Sequence, residues 1–182
     1  MLPEEILRLA TVLLAVFLPM LIEAMRARRN ERSQRARGGL EPRGDVYALM
    51  QLAYPGLFLA MIAEGWLRGA PPFGVFFAGA LIFTAAKLLK WWAICSLGSF
   101  WTFRIIVVPG VPLVASGPYR YLAHPNYLAV LGEFTGAALM TGAAVMGPIA
   151  TLGFGALMLK RIAIEDDALS DRTRPNRTLD RS

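Results

Sequence analysis

One cysteine, Cys95, and one histidine, His124, are all that this chain offers of the two residue types central to disulfide and zinc chemistry. A disulfide framework needs cysteines in pairs, and structural zinc sites are built from several cysteine or histidine ligands. The first is excluded and the second is argued against, so no metal is expected. Charge is scarce as well: 18% of residues are charged, against about a quarter in a soluble domain. There is no phosphate-binding glycine loop, and "GFG" at 153–155 does not follow a strand, which argues against a soluble dinucleotide fold. A cleaved leader is not expected either. Glu4 and Glu5 precede the first apolar run, and no small-residue cleavage site follows it.

What is abundant is apolar sequence in long runs. Hydrophobic residues make up 55% of the chain and the mean hydropathy is +0.47. Crossing a bilayer takes roughly 20 apolar residues. Candidate spans run from Ile6 to Met25, from Asp45 to Leu67 and from Pro72 to Gly98. Between Tyr121 and Leu159 the only formal charge is Glu133. As one helix that stretch would be roughly 60 Å long, about twice the hydrocarbon thickness. It must fold back, and "TGAAVMGP" (141–148) supplies the turn, giving spans near 126–142 and 146–164. The expected fold is an all-α integral membrane protein. It has about five transmembrane helices and a short extended cytoplasmic connector before the fourth. Residues 1–170 form a single domain and 171–182 a disordered cytoplasmic tail. Cys95, within an apolar run, is expected to be a small packing residue.

Positive charge orients the spans. The segment "RARRNERSQRARGGLEPR" (26–43), read as a loop, holds seven arginines, and the chain from Lys160 onward holds six Lys or Arg. The positive-inside rule puts both in the cytoplasm, with the N-terminus outside. The arginine loop has no aromatic residue and joins two apolar spans, so it reads as a topology determinant touching anionic lipid rather than a nucleic-acid patch.

One polar island interrupts the apolar chain: "SGPYRYLAHPNY" (116–127), with His124, three tyrosines and Arg120. Pro118 and Pro125 disfavour a continuous helix through it, and Pro125 suits the first turn of the fourth span. Upstream, "IIVVPGVPLVASG" (105–117) reads as an extended interfacial connector. Tyr119, Tyr121 and Tyr127 read equally as interfacial anchors or as site residues. Arg161 and Glu165 lie four apart on one helix face, either as a surface ion pair or as part of a site with His124. Glu133 lies within "GEFTG" (132–136), a small-residue seam for close helix packing. Glu64, Lys87 and Lys90 lie near span ends and are expected to snorkel.

"GPYRYLAHPNYLAV" followed some forty residues later by "RIAIEDDAL" resembles the isoprenylcysteine carboxyl methyltransferase family. The family pattern is G-P-Y-x-x-x-R-H-P-x-Y, a hydrophobic hairpin, then R-x-x-x-E-E. The resemblance covers residues 91–169. It implies a membrane-embedded enzyme that uses S-adenosylmethionine to methylate a lipophilic acceptor. That acceptor is a prenylcysteine carboxylate or the hydroxyl of a phenolic or pyrone lipid. The partners implied are such a substrate and membrane lipid, with no nucleic acid, in a bacterial-type inner membrane with the active site cytoplasmic. Carried onto this chain, Tyr119, His124, Pro125, Tyr127, Arg161, Glu165 and Asp166 bind the cofactor, and His124, Glu165 and Arg120 serve the chemistry. A hydroxyl acceptor benefits from a base, for which His124, Glu133 and Glu165 are unranked candidates. Two positions depart from the pattern: Ala123 stands in place of its arginine, and Asp166 in place of its second glutamate. Alternatives are an NADPH-dependent membrane reductase of the sterol reductase type, which shares "HPNY", or a non-catalytic relative.

Overall fold

The computed structural model describes residues 3–42, 44–112 and 114–171, with side chains described from Ile6 to Asp167 within those ranges. The predicted tail, apart from its first residue, lies outside the described residues. Among the described residues five α-helices follow one another: α1 (Pro3–Ala36), α2 (Tyr47–Arg68), α3 (Phe73–Leu97), α4 (Pro125–Thr141) and α5 (Met146–Asp171). The protein is an all-α membrane protein. Four helical stretches, Ile6–Ala36, Tyr47–Arg68, Phe73–Phe100 and Met146–Asp167, are long and apolar enough to cross a membrane. α4 is the short one, at 17 residues. It turns into α5 through Gly142, whose φ of +75° closes the helix as a left-handed cap.

α4 makes its most extensive contact with α3, and small residues make the approach possible. A Cβ added to Gly136 would sit 2.6 Å from the Phe83 backbone nitrogen, and one on Gly79 would sit 2.7 Å from the Gly136 carbonyl oxygen. Neither gap admits a side chain, so the seam read in "GEFTG" is a backbone-to-backbone contact. Behind it Tyr54, Phe58, Phe134 and Phe154 form an aromatic core joining α2, α4 and α5, with Phe58 and Phe134 stacked at 4.8 Å.

Four expectations are corrected. The segment 26–43 is not a loop as far as Ala36, because α1 runs through it. No proline or glycine interrupts residues 26–36, and Arg, Glu, Gln and Ala propagate a helix well. The extension is held by Asn30 and Gln34, one turn apart. Asn30 donates to the Gly98 and Trp101 carbonyls at 3.0 and 2.7 Å, and Gln34 donates to Ser99 O at 3.0 Å. Second, Cys95 is exposed on the outer surface of the bundle rather than packed inside it. Third, Glu64 does not snorkel. It accepts from the Val145 and Met146 amides at 3.0 and 2.6 Å and so caps the start of α5.

The fourth correction is the largest. Lys87 and Lys90 lie on one face of α3 and point into the bundle, where each ammonium meets Glu23 of α1 and Glu133 of α4. Lys87 lies 3.2 and 3.0 Å from these carboxylates, and Lys90 lies 2.8 and 3.3 Å from them. Both carboxylates are fully buried. Tyr54 completes the cluster, accepting from Lys90 at 3.0 Å and donating to Glu133. Two lysines and two glutamates cancel in charge. None of them has to reach water to be satisfied, which is why the ends of the spans are not where these groups go.

Among its described residues the connector between α3 and α4 contains no strand. Its one pairing is an antiparallel bridge between Leu40 and Val107, with reciprocal hydrogen bonds of 2.9 Å. Gly39 permits it, because a Cβ there would lie 2.6 Å from Ile106 Cγ2. The bridge ties the connector to the segment that follows α1.

Candidate functional site

The island forms a single 3-10 turn, Gly117–Arg120, and then releases into α4 at Pro125. Proline at the head of a helix gives up no hydrogen bond, since the first amides have no intrahelical partner. Pro125 is buried and sets where α4 begins. His124 becomes the N-cap residue and Tyr127 lies three residues on, so their rings stack with centroids 5.3 Å apart.

The far end of α5 meets this turn. Tyr127 OH donates to Glu165 Oε2 at 2.9 Å. His124 sits between two carboxylates, with Nδ1 3.9 Å from Glu165 and Nε2 3.6 Å from Asp166. Both separations exceed a direct hydrogen bond, leaving the imidazole held by its stacking on Tyr127. Tyr119 is half-buried beside the same group, and burial together with the Glu165 carboxylate raises its phenol above the ordinary tyrosine range. The two sequence motifs, distant along the chain, therefore converge on one cluster.

Arg161, one turn before Glu165, is buried behind it. Its Nη2 donates to the Phe103 carbonyl, Nη1 lies 3.8 Å from Met50 Sδ, and Asp45 lies 3.9 Å away. The guanidinium also interacts with the Tyr127 hydroxyl. Its Nε is buried without a hydrogen-bond partner among the described residues, as is the side-chain oxygen of Asn126 in the first turn of α4. Buried polar atoms left in this state are open to a partner, whether an ordered water or a ligand.

Tyr119, His124, Tyr127, Arg161, Glu165 and Asp166 are brought together. Arg120 is not among them: it is exposed, with its guanidinium 5.9 Å from the Tyr121 ring. Glu133 belongs to the buried lysine cluster, over two turns deeper. Asp45, Met50 and Phe103 were not anticipated. Of these only Asp45 left a trace, as an acidic residue just ahead of an apolar helix, where its Oδ1 accepts from the Tyr47 amide at 3.1 Å.

Comparison with known proteins decides the family. The model of the isoprenylcysteine carboxyl methyltransferase family matches residues 79–171, half of the chain and all of the converging cluster. The chain belongs to this family. A Bacillus subtilis relative, the uncharacterised protein YpbQ, is 34% identical over 145 residues, covering 80% of this chain and 86% of its own. An uncharacterised protein of Haemophilus influenzae is 24% identical over 143 residues, covering 78% of this chain and 83% of its own. No solved structure matches. Membership in the isoprenylcysteine carboxyl methyltransferase family supports a membrane methyltransferase, and the matched segment carries both ends of the Tyr127–Glu165 contact.

Proposed function

We propose that the protein is an S-adenosylmethionine-dependent methyltransferase acting on a lipophilic acceptor at the membrane surface. The observation that carries this reading is the convergence of His124, Tyr127, Glu165 and Asp166, with Arg161 behind them. The donor set suits the cofactor. Arg161 Nε, buried and unpartnered, fits a carboxylate. Glu165 and Asp166 fit an ammonium or a ribose. The faces of His124 and Tyr127 fit adenine or the sulfonium, by stacking and cation–π attraction. When bound, the cofactor supplies an electrophilic methyl group, so the protein's task is to position and to exclude water.

Among the candidate bases His124 is the best placed. Glu133 is committed to two lysines and Tyr54 inside the bundle, and Glu165 accepts from Tyr127. His124 has no direct hydrogen bond to either carboxylate beside it, at 3.9 and 3.6 Å, so a ring nitrogen is free to meet an acceptor hydroxyl.

The acceptor reading follows from Ala123, which is exposed beside His124 and carries no charge. The nearby arginines do not replace the missing cation. Arg104 is engaged by Glu41 at 3.0 Å and lies 4.4 Å from the Tyr47 ring centroid, and Arg120 lies over Tyr121. A hydroxyl of a phenolic or pyrone lipid fits this setting better than a prenylcysteine carboxylate. Methyl transfer to both acceptor classes, measured in vesicles with labelled cofactor, tests it. Hydroxyl lipids are expected to be methylated, and Ala123→Arg should raise activity on prenylcysteine analogues relative to them. Efficient methylation of prenylcysteine alone by the wild type would overturn the acceptor assignment.

A further inference from the structure

The polar extension of α1 carries Arg28, Glu31, Arg32 and Arg35 at intervals of three, one and three, so all four lie on one face. Together with Arg104 from the connector they line a cavity of about 280 Å³. Four guanidiniums face one carboxylate there. Arg35 and Arg104 are partly neutralised at the rim by Glu41. Arg28 and Arg32 are exposed and have no carboxylate in salt-bridge range among the described residues. The cavity therefore attracts an anion.

Glu31 adds a second requirement. Its side chain is 13% exposed, and Oε2 lies 3.9 Å from Arg104 Nε. Its Oε1 is buried without a hydrogen-bond partner among the described residues. An acceptor in that state calls for a donor. A ligand that satisfies the whole cavity thus combines an anionic group with a hydroxyl a few atoms away.

Position narrows the source. The apolar run of α1 ends at Met25. At 1.5 Å per residue the cavity residues on α1 lie about 5–15 Å beyond that point, where phospholipid headgroups begin. Basic pockets at this depth suit anionic headgroups.

We propose that this cavity binds the headgroup of an anionic phospholipid, with Arg28 and Arg32 on the phosphodiester and Glu31 accepting from a headgroup hydroxyl. Phosphatidylglycerol has this chemistry. The assignment stands independently of the methyltransferase reading, because its readout is lipid retention. It also borders that site: Arg104 follows Phe103, whose carbonyl holds Arg161.

The test is native mass spectrometry of the full-length protein extracted from bilayers of phosphatidylcholine mixed with phosphatidylglycerol or with phosphatidylmethanol. Phosphatidylmethanol has the same charge and no hydroxyl. The wild type is expected to retain phosphatidylglycerol in preference to both other lipids. Arg28→Ala/Arg32→Ala, at exposed positions that leave the fold intact, is expected to cut that retention about tenfold or more. Glu31→Leu is expected to retain both anionic lipids equally. Equal retention by the wild type and the double arginine variant would overturn the proposal. Displacement of the lipid by an equal concentration of inorganic phosphate would overturn it too, by assigning the cavity to a soluble anion.

Discussion

The hydroxyl of Tyr127 donates a 2.9 Å hydrogen bond to Glu165, joining the first turn of α4 to the far end of α5 across 38 residues of sequence. Tyr127→Phe keeps the ring stacked on His124 and deletes that bond. A hydrogen bond to a charged group contributes about 1.5–3 kcal/mol, and the lower end applies because Glu165 is 32% exposed. S-adenosylmethionine affinity is expected to fall about tenfold, with the melting temperature lowered by only a few degrees and the fold retained. Unaltered affinity would mean that Glu165 does not depend on Tyr127 for its placement.

The buried lysine–glutamate cluster makes a separate prediction about stability. Lys90→Met leaves two buried carboxylates facing one ammonium, and breaking such a network costs about 3–5 kcal/mol. Lys90→Met combined with Glu133→Gln restores the balance, with Lys87 facing Glu23 at 3.2 Å. The double variant should be more stable than Lys90→Met alone in detergent unfolding. If the two losses simply add, the four groups are not coupled.

A glycine in the α3–α4 seam and one in open space on α5 should respond differently. Gly136→Ala forces a methyl to within 2.6 Å of the Phe83 nitrogen and pushes α3 from α4, at about 1–3 kcal/mol. Gly153→Ala in α5 meets no atom within 4 Å and gains helix propensity, worth up to about 1 kcal/mol. Melting temperatures in one detergent compare the two. A tolerated Gly136→Ala would rule out the close α3–α4 seam.

Orientation in the membrane can be read by labelling. With Cys95 replaced, cysteines introduced at Arg35 and Arg174 are expected to react with an impermeant reagent from the same, cytoplasmic side. Labelling from opposite sides would show that an odd number of the four helices α2 to α5 crosses the bilayer.

The bounds of α3 and α4 were legible because the runs there open at Pro72 and Pro125 and close at Gly98 and Gly142, residues that start or stop helices for local reasons, whereas α5 runs past the expected 164 to Asp171. The halves of the site were legible because each motif is contiguous. The reach of α1 to Ala36 was not, since a charged helical segment and a charged loop share one composition until Asn30 and Gln34 find carbonyls on the connector. The ion cluster was hidden for a related reason. Glu23, Lys87, Lys90 and Glu133 come from three helices, and no spacing along the chain announces that they meet. Arg161 is half of each case: its place four before Glu165 was visible, and its contact with Phe103 was not.

Calorimetric titration of the purified protein with S-adenosylmethionine and with NADPH tests the central claim most directly. The account predicts saturable binding of S-adenosylmethionine and none of NADPH, with affinity lowered about ten- to a hundredfold in His124→Ala and Glu165→Ala and the fold intact. Binding of NADPH in place of S-adenosylmethionine, or wild-type affinity in both variants, would contradict it.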